Sequence, residues 1–246
     1  MRIDLNCDMG EGFGQYHPGD DEALMPFITS ANIACGFHAG DPLVMQSTIR
    51  LAKQHGVAIG AHPSWPDLQG FGRRAMNIAL EEAEALVLYQ ISALAGFVKA
   101  EGMELRHVKP HGALYNQAAQ DRALADAVAR GVKRFDSSLI LVGLAGSALI
   151  QAGHDVGLRV AQEGFPDRRY NADGTLASRK GPNAIIESPG EVAAHAVTLA
   201  KDGIDFHGQH VQVDTLCLHG DHPQAAENAK RVREALSEND IEVAAL

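Results

Sequence analysis

The sequence is poor in cysteine and in basic residues. Its 246 residues include only Cys7, Cys35 and Cys217, which lack the spacing of a disulfide scaffold, so we expect a reducing, cytoplasmic setting. Lysine and arginine total 21 against 31 acidic residues, and the net charge of −10 argues against nucleic acid or an anionic membrane as a partner. Any anionic ligand must therefore be held by local cations.

Several well-known motifs are also missing. Without a Walker A or G-x-G-x-x-G segment, the chain has no recognisable nucleotide-binding loop, and no G-x-S-x-G supports a nucleophilic serine. The metal-binding patterns H-E-x-x-H and C-x-x-C are absent as well. The N-terminus shows no export signal, and no uninterrupted apolar run approaches membrane length. We expect a soluble protein that is not exported.

Strand-like and helical segments alternate along the chain. The clearest transition is Asn32–Pro42, where a β-prone run passes through two glycines to Asp41 and Pro42, an N-cap and a first helical residue. A strongly amphipathic helix is predicted to follow Asn77, with apolar residues at 80, 83, 87, 91, 94 and 98. Ser188–Glu191 is typical of a capping box that begins a later helix.

Buried, non-alternating strands separated by helices are typical of a parallel sheet with helices outside. We predict one domain over residues 1–246, a barrel of seven or eight strands, with an open doubly wound sheet as the alternative. The predicted strands are residues 2–7, 32–35, 57–61, 107–109, 139–142, 158–162 and 211–218.

Polar residues follow most of these strands. Because the C-terminal ends of parallel barrel strands meet on one rim, we expect these side chains to share one cavity. In chain order they are Asp8 and Glu11, His38 and Asp41, His62 and Asp67, Lys109 and His111, Glu163 and Asp167, and His219 and Asp221. The other eight of the twelve histidines are interpreted as surface residues.

The rim residues suit two chemistries. A carboxylate with imidazoles could hold Zn²⁺ or Mn²⁺ and leave a position open for water. The candidate ligands are Asp8 with His38, His62 and His111, or Asp8 with His219. Alternatively, the same groups serve acid–base catalysis without metal, with the Lys109 ammonium and imidazoles stabilising an oxyanion. The cysteines are interpreted as small packing residues, and a Cys35 thiol nucleophile is the alternative.

A long segment from Gly164 to Ser188 has no helical or strand period and is interpreted as a binding loop. It carries four basic residues, Arg168, Arg169, Arg179 and Lys180. In an acidic protein these residues indicate binding of a carboxylate or phosphate, because a guanidinium offers two parallel donors; a solvated loop is the alternative. Asn171–Gly174 within the segment predicts a small hairpin turn.

Long motifs run nearly end to end: Asp4–Asp8 with Gly10–Glu11, Asn32–Pro42, Gly60–Pro63, Pro66–Asp67, Gly70–Arg74, Val108–Tyr115 and Cys217–Asp221. Together they resemble the LamB/YcsF family. The resemblance implies a distorted seven-stranded β/α barrel of the glycoside hydrolase/deacetylase type. It also implies ATP-dependent hydrolysis of 5-oxo-L-proline to L-glutamate, together with subunits B and C of 5-oxoprolinase.

Under this resemblance, Asp8 or Glu11 would act as the base, and Lys109 and His111 would stabilise a phosphate or oxyanion. Arg73, Arg168 or Arg179 would bind the substrate carboxylate, while ATP with Mg²⁺ would be held through the partner subunits. The remaining expected substrate-binding residues are His38, Asp41, His62, Glu163 and His219. The alternatives are a stand-alone metal-dependent deacetylase or amidohydrolase, and a non-catalytic subunit that binds the lactam.

We predict that alanine at Lys109 or Asp8 lowers turnover by orders of magnitude with little loss of fold, since strand-end polar groups contribute little to a barrel core. Steady-state kinetics beside a thermal unfolding curve measures both effects. A variant that unfolds would show that its residue is structural.

Overall fold

A closed parallel barrel organises the computed structural model, which describes residues 1–177, 184–220 and 224–246. Its strands are β1 Arg2–Met9, β2 Ser30–Ala34, β3 Ala58–His62, β4 Leu105–Val108, β5 Ile140–Leu144, β6 Arg159–Gly164, β7 Ile204–Phe206, β8 Gln209–Val211, β9 Thr215–Leu218 and β10 Glu242–Val243. Strand β1 pairs in parallel with both β2 and β9, so the order β1-β2-β3-β4-β5-β6-β9 closes on itself. The distorted seven-stranded barrel is confirmed, and the open sheet is excluded.

Helices connect the barrel strands, as parallel pairing requires. They are α1 Asp21–Leu24, α2 Pro42–His55, α3 Leu80–Ala100, α4 Gly112–Ala118, α5 Arg122–Phe135, α6 Ala148–Asp155, α7 Pro189–Asp202 and α8 Ala225–Glu238. The predicted start of α2 is confirmed, because the Asp41 carboxylate accepts hydrogen bonds from the backbone N–H groups of Leu43 and Val44. Gly56 ends the helix with a φ of 68°.

The long helix α3 packs against α5 and β3. Its predicted apolar positions are buried at Ala83, Val87, Ile91, Leu94 and Val98. By length and composition alone α3 could cross a membrane, although Gln90 and several charged residues interrupt its apolar run. The buried core helix of a soluble protein passes the same test, and α3 therefore says little about membranes.

Some local predictions fail. Helix α3 begins after Ala79 rather than Asn77, and Ser188 makes no side-chain hydrogen bond to the start of α7, so the capping box is absent. Helix α4 and strand β10, which pairs with β1, were not predicted.

The predicted strand 211–218 is also divided. Its first residue ends the antiparallel hairpin β7–β8, and the barrel strand β9 begins only at Thr215. His207 and Gly208 turn this hairpin with φ values of 48° and 79°, a two-residue turn of left-handed residues. The turn predicted at Asn171–Gly174 is confirmed, since the Asn171 N–H donates to the Thr175 carbonyl.

Strand β1 directs apolar side chains toward the outer helices and polar side chains toward the barrel interior. Ile3, Leu5, Cys7 and Met9 belong to the hydrophobic core that the outer helices cover. The alternate residues Asp4, Asn6 and Asp8 instead hydrogen-bond polar side chains of other strands. Because side chains alternate along a strand, the second set faces the barrel interior. The interior is therefore polar, and its upper end forms the site described below.

We predict that Gly60→Ala lowers the free energy of unfolding by about 1–3 kcal/mol, because a Cβ on this β3 residue would overlap the buried His107 imidazole. The matched control is Gly96→Ala on the exposed side of α3, where a new Cβ meets no atom within 4 Å. The control should raise stability by about 0.5–1 kcal/mol. Urea denaturation compares the two variants, and equal effects would contradict the packing argument.

Candidate active site

The C-terminal ends of the barrel strands surround a cavity of about 700 Å³, here called the main cavity. The predicted site residues that line it are Asp8, Glu11, His62, Arg73, Lys109, His111, Arg168 and His219. The rim argument therefore brings most of the expected residues together. His38 lies behind this lining, completely buried, with its ring stacked on that of His111 at a centroid distance of 3.8 Å.

A second cavity of about 670 Å³ opens on the other side of Asp8 and Glu11. Its wall, formed around α1 and α2, contains Asp20, Asp21 and Glu22. An anionic ligand is disfavoured among these carboxylates. The main cavity, which contains two arginines, is the better site for a ligand with a carboxylate or phosphate.

Lys109 lies at the floor of the main cavity with its side chain 3% exposed. Its Nζ lies 3.0 Å from Asp8 Oδ1, 2.9 Å from Glu163 Oε1 and 3.0 Å from Cys217 Sγ. Burial alone would lower the Lys109 pKa, but the charges of these neighbours outweigh it and hold the pKa well above its usual range. Lys109 is therefore a permanent cation and a hydrogen-bond donor, not a base.

The two carboxylates at the rim have opposite environments. Burial would raise the Asp8 pKa, but His62 and Lys109 outweigh burial and hold this pKa well below its usual range. Asn32 Nδ2 also donates to Asp8 Oδ1 at 2.9 Å. For Glu11, burial is the largest effect and raises the pKa, and the Asp8 charge raises it further. Asp8 is thus the fixed anion, and Glu11 is the better proton carrier.

Three imidazoles surround the Glu11 carboxylate. His38 Nε2 lies 3.2 Å from Glu11 Oε1, and His111 Nδ1 lies 3.3 Å from the same oxygen. Glu11, His38, His62 and His111 each offer a ligand atom, and all four atoms lie within 4.8 Å of one another. This set could hold a metal ion. It contains Glu11 where the sequence-based set has Asp8, which lies 3.2 Å from His62 Nε2.

A loop with an unusual backbone conformation at Phe71 and Gly72 packs against these imidazoles. Phe71 has a φ of 54°, unusual for a residue with a side chain, and its carbonyl oxygen lies 2.9 Å from His111 Nε2. At the next residue, Gly72, a Cβ would collide with Ser64 and approach both His111 and His38. Only glycine allows this loop to approach the histidines so closely.

Two expected site residues, Asp41 and Glu163, lie elsewhere, and a third is not among the described residues. Asp41 caps α2 and also accepts from the Gly14 N–H, so its carboxylate is used structurally. Glu163 is completely buried beneath Lys109, where it accepts hydrogen bonds from Asn6 and Tyr115, and it does not line the main cavity. Arg179 lies outside the described residues, as do Lys180 and Asp221.

The remaining predicted substrate-binding residues, Arg73, Arg168 and His219, lie in the wall of the main cavity. The Arg73 guanidinium lies 5.0 Å from the centre of the Phe71 ring, and Arg168 Nη2 donates to the Ala177 carbonyl at 2.6 Å. His219 stacks on Phe165, and its Nδ1 lies 2.6 Å from the Asp167 carboxylate.

The cysteines are buried, as predicted. Burial raises the pKa of the Cys35 thiol to about 12, which disfavours the thiolate that a nucleophile requires.

The sequence interpretation missed Asn6, Asn32 and His107. Asn6 contacts Lys109, Asn32 donates to Asp8, and His107 contacts Asn32. His107 was assigned to the surface, but it is buried in β4, and its Nε2 lies 2.7 Å from Asn32 Oδ1. One signal could have revealed the interior: polar residues recur at every second position in Asp4, Asn6 and Asp8.

Comparison with known proteins gives consistent matches over the full chain. The model of the LamB/YcsF family matches residues 3–246. A protein of Methylococcus capsulatus, named as the A subunit of 5-oxoprolinase, is 57% identical, over 99% of this chain and 95% of that protein. A protein of the same name from Tolumonas auensis is 53% identical, over 100% of this chain and 99% of that protein. The crystal structure of a lactam utilization protein from Thermus thermophilus matches with a TM-score of 0.93 and 48% identity, over 100% of both chains.

The buried position of Lys109 changes the prediction for its alanine variant. Lys109→Ala leaves the Glu163 and Asp8 carboxylates without their cation, so we predict a loss of about 3–5 kcal/mol of unfolding free energy rather than an intact fold. Adding Glu163→Gln to Lys109→Met should restore part of this loss. Urea denaturation of the single and double variants tests the point. A Lys109→Ala variant as stable as the parent would show that the carboxylates need no cation.

Proposed function

Because the chain belongs to the LamB/YcsF family, we propose that it acts as the A subunit of 5-oxoprolinase, which hydrolyses 5-oxo-L-proline to L-glutamate while ATP is hydrolysed to ADP and phosphate. The single observation that carries the proposal is the floor of the main cavity. There a buried ammonium, an ionised carboxylate and a carboxyl group of raised pKa lie together.

A five-membered lactam is a stabilised amide, so its carbonyl must be activated before water can attack. In the proposed reaction, the γ-phosphoryl group of ATP is transferred to the lactam oxygen and ADP leaves. Water then adds to the ring carbon, the C–N bond breaks, and the nitrogen takes a proton. The resulting acyl phosphate is hydrolysed by a second water to glutamate and phosphate.

The residues of the main cavity provide the charge and the proton transfers that this reaction requires. Lys109 provides a fixed positive charge for the phosphate or oxyanion. Glu11, with its raised pKa, takes a proton from water and returns one to the ring nitrogen. Asp8 keeps Lys109 in position and charged, and it lies 3.2 Å from His62 Nε2. His111 lines the same cavity, and its Nδ1 lies 3.3 Å from Glu11 Oε1.

The substrate itself fits the walls of the main cavity. Arg73 and Arg168 line it and would bind the carboxylate of 5-oxoproline. The apolar walls would contact the ring methylenes, and they are formed by Ala113, Ala119, Leu144, Phe165, Leu176 and Phe206. His219 completes this wall beside Phe165 and would contact the substrate.

ATP with Mg²⁺ is assigned to partner subunits B and C. The chain contains no Walker A motif and carries a net charge of −10, so it offers no evident site for a triphosphate. The names of the relatives describe one subunit of an enzyme, which supports an assembly of several chains.

A second candidate function is a stand-alone metal-dependent amidohydrolase or deacetylase. The cluster of Glu11 with three histidines is the observation that favours it, since a metal there could activate water without ATP. A non-catalytic subunit that only binds the lactam is the third possibility.

We predict that the purified chain alone releases no glutamate from 5-oxoproline. With subunits B and C, ATP and Mg²⁺, it should release glutamate and phosphate in equal amounts, because phosphorylation supplies the missing activation. Coupled assays for both products make the measurement. Steady turnover by the isolated chain without nucleotide would refute the coupled mechanism and favour the amidohydrolase.

Two variants separate catalysis from simple binding in the same assay. Asp8→Asn should reduce turnover by orders of magnitude while size-exclusion chromatography shows an intact complex. Asp126→Asn, which changes an exposed carboxylate paired with Arg122 on α5, is the control and should leave turnover unchanged. Full activity in Asp8→Asn would indicate a non-catalytic subunit.

A further inference from the structure

Two imidazole nitrogens, His62 Nε2 and His111 Nδ1, face each other at the rim at 3.0 Å. His62 Nδ1 lies 2.7 Å from the Lys109 carbonyl oxygen, and His111 Nε2 lies 2.9 Å from the Phe71 carbonyl oxygen. A carbonyl only accepts, so each of these two nitrogens carries a hydrogen. With both rings neutral, the facing nitrogens present lone pairs to each other. A cation between them relieves this contact, either a metal ion or a proton that His62 Nε2 shares with Asp8 Oδ2 at 3.2 Å.

The distances in this cluster fit one small metal ion. A tetrahedral Zn²⁺ site with ligand bonds of about 2.0–2.1 Å places its ligand atoms about 3.3 Å apart. Here His62 Nε2 to His111 Nδ1 is 3.0 Å, His111 Nδ1 to Glu11 Oε1 is 3.3 Å, and His38 Nε2 to Glu11 Oε1 is 3.2 Å. These three pairs have nearly the spacing of a ligand set, and all four atoms lie within 4.8 Å of one another.

We propose that Glu11, His38, His62 and His111 bind one transition-metal cation of the Zn²⁺ type. Three imidazole nitrogens and one carboxylate oxygen suit Zn²⁺, Co²⁺ or Mn²⁺, whereas Mg²⁺ prefers oxygen ligands and retains its waters. This ion is therefore distinct from the Mg²⁺ that accompanies ATP.

The surroundings hold the rings as metal ligands are commonly held. The carbonyls of Lys109 and Phe71 orient His62 and His111 as outer-shell acceptors commonly orient metal ligands. His38 is oriented differently, by stacking on His111 with the two ring planes 5° apart.

The ion would have access to substrate. Glu11, His62 and His111 line the main cavity, so a fifth ligand could reach the ion from the space where the lactam is placed. With the ion bound, Glu11 would be a ligand rather than the free acid–base group of the proposed reaction. The cation would instead activate water or polarise the lactam oxygen, a role that rests on the proposed function. Binding of the metal itself does not depend on that function.

The test measures metal on the isolated full-length chain. The protein is stripped with a chelator, loaded with Zn²⁺ or Co²⁺ in the presence of excess Mg²⁺, dialysed and analysed by mass spectrometry for metal content. We expect one ion per chain, and visible absorption bands of tetrahedral or five-coordinate Co²⁺. Glu11→Gln and His111→Ala should lose the ion, with circular dichroism confirming the fold. His195→Ala is the matched control, because this half-buried histidine lies outside the cluster and contacts the Pro166 carbonyl.

Several results would overturn the proposal. They are a parent protein that retains no stoichiometric Zn²⁺ or Co²⁺, displacement of the ion by Mg²⁺, and equal metal content in the His111→Ala and parent proteins. If both cluster variants unfold, the Co²⁺ spectrum of the parent decides the question: imidazole-ligated Co²⁺ supports the site, and octahedral Co²⁺ with oxygen ligands refutes it. Because glutamate release is assayed separately on the reconstituted complex, failure of one experiment does not imply failure of the other.

Discussion

The Lys109 ammonium is the charge on which the polar interior of the barrel depends. It neutralises Asp8 and Glu163 in a space that water barely reaches, and Asn6 completes its hydrogen bonds. A buried ion pair contributes little net stability compared with apolar packing, but removing one member is costly. The interior is thus a set of mutually dependent charges, and the position of each rim carboxylate follows from the lysine.

Closely spaced groups acquire different chemical properties from this arrangement. Asp8 touches Lys109 and remains ionised, whereas Glu11 lies among neutral imidazoles and is more easily protonated. Neither residue type alone distinguishes the two roles. Their neighbours do, because the pKa of a buried carboxyl group depends on the balance between desolvation and nearby charge. The same balance lowers the pKa values of His38 and His111 on one side of Asp8 and keeps the lysine charged on the other.

Sequence patterns predicted the barrel and most of the rim for clear physical reasons. Strand ends followed by His62, Lys109 or His219 converge whenever parallel strands close, so the grouping needed only the topology. The sequence pattern could not predict how deeply each side chain is buried. Glu163 was placed in the cavity but lies beneath it, and His107 was placed on the surface but lies inside. Sequence spacing fixes the face of a strand, while the amount of cover depends on distant residues such as those of the hairpin β7–β8.

Barrel closure by β1 and β9 has a consequence for how the protein folds. The register pairs Asp4 with Thr215, so the last seam joins residues at nearly opposite ends of the chain. Contacts of such long sequence separation form late, because the entropy of a large loop must be lost first. Until then, β9 cannot cover Lys109, whose neighbour Cys217 arrives with that strand. A nascent chain would hold the charges of its future barrel interior in water, and the kinetic barrier to folding would include their dehydration.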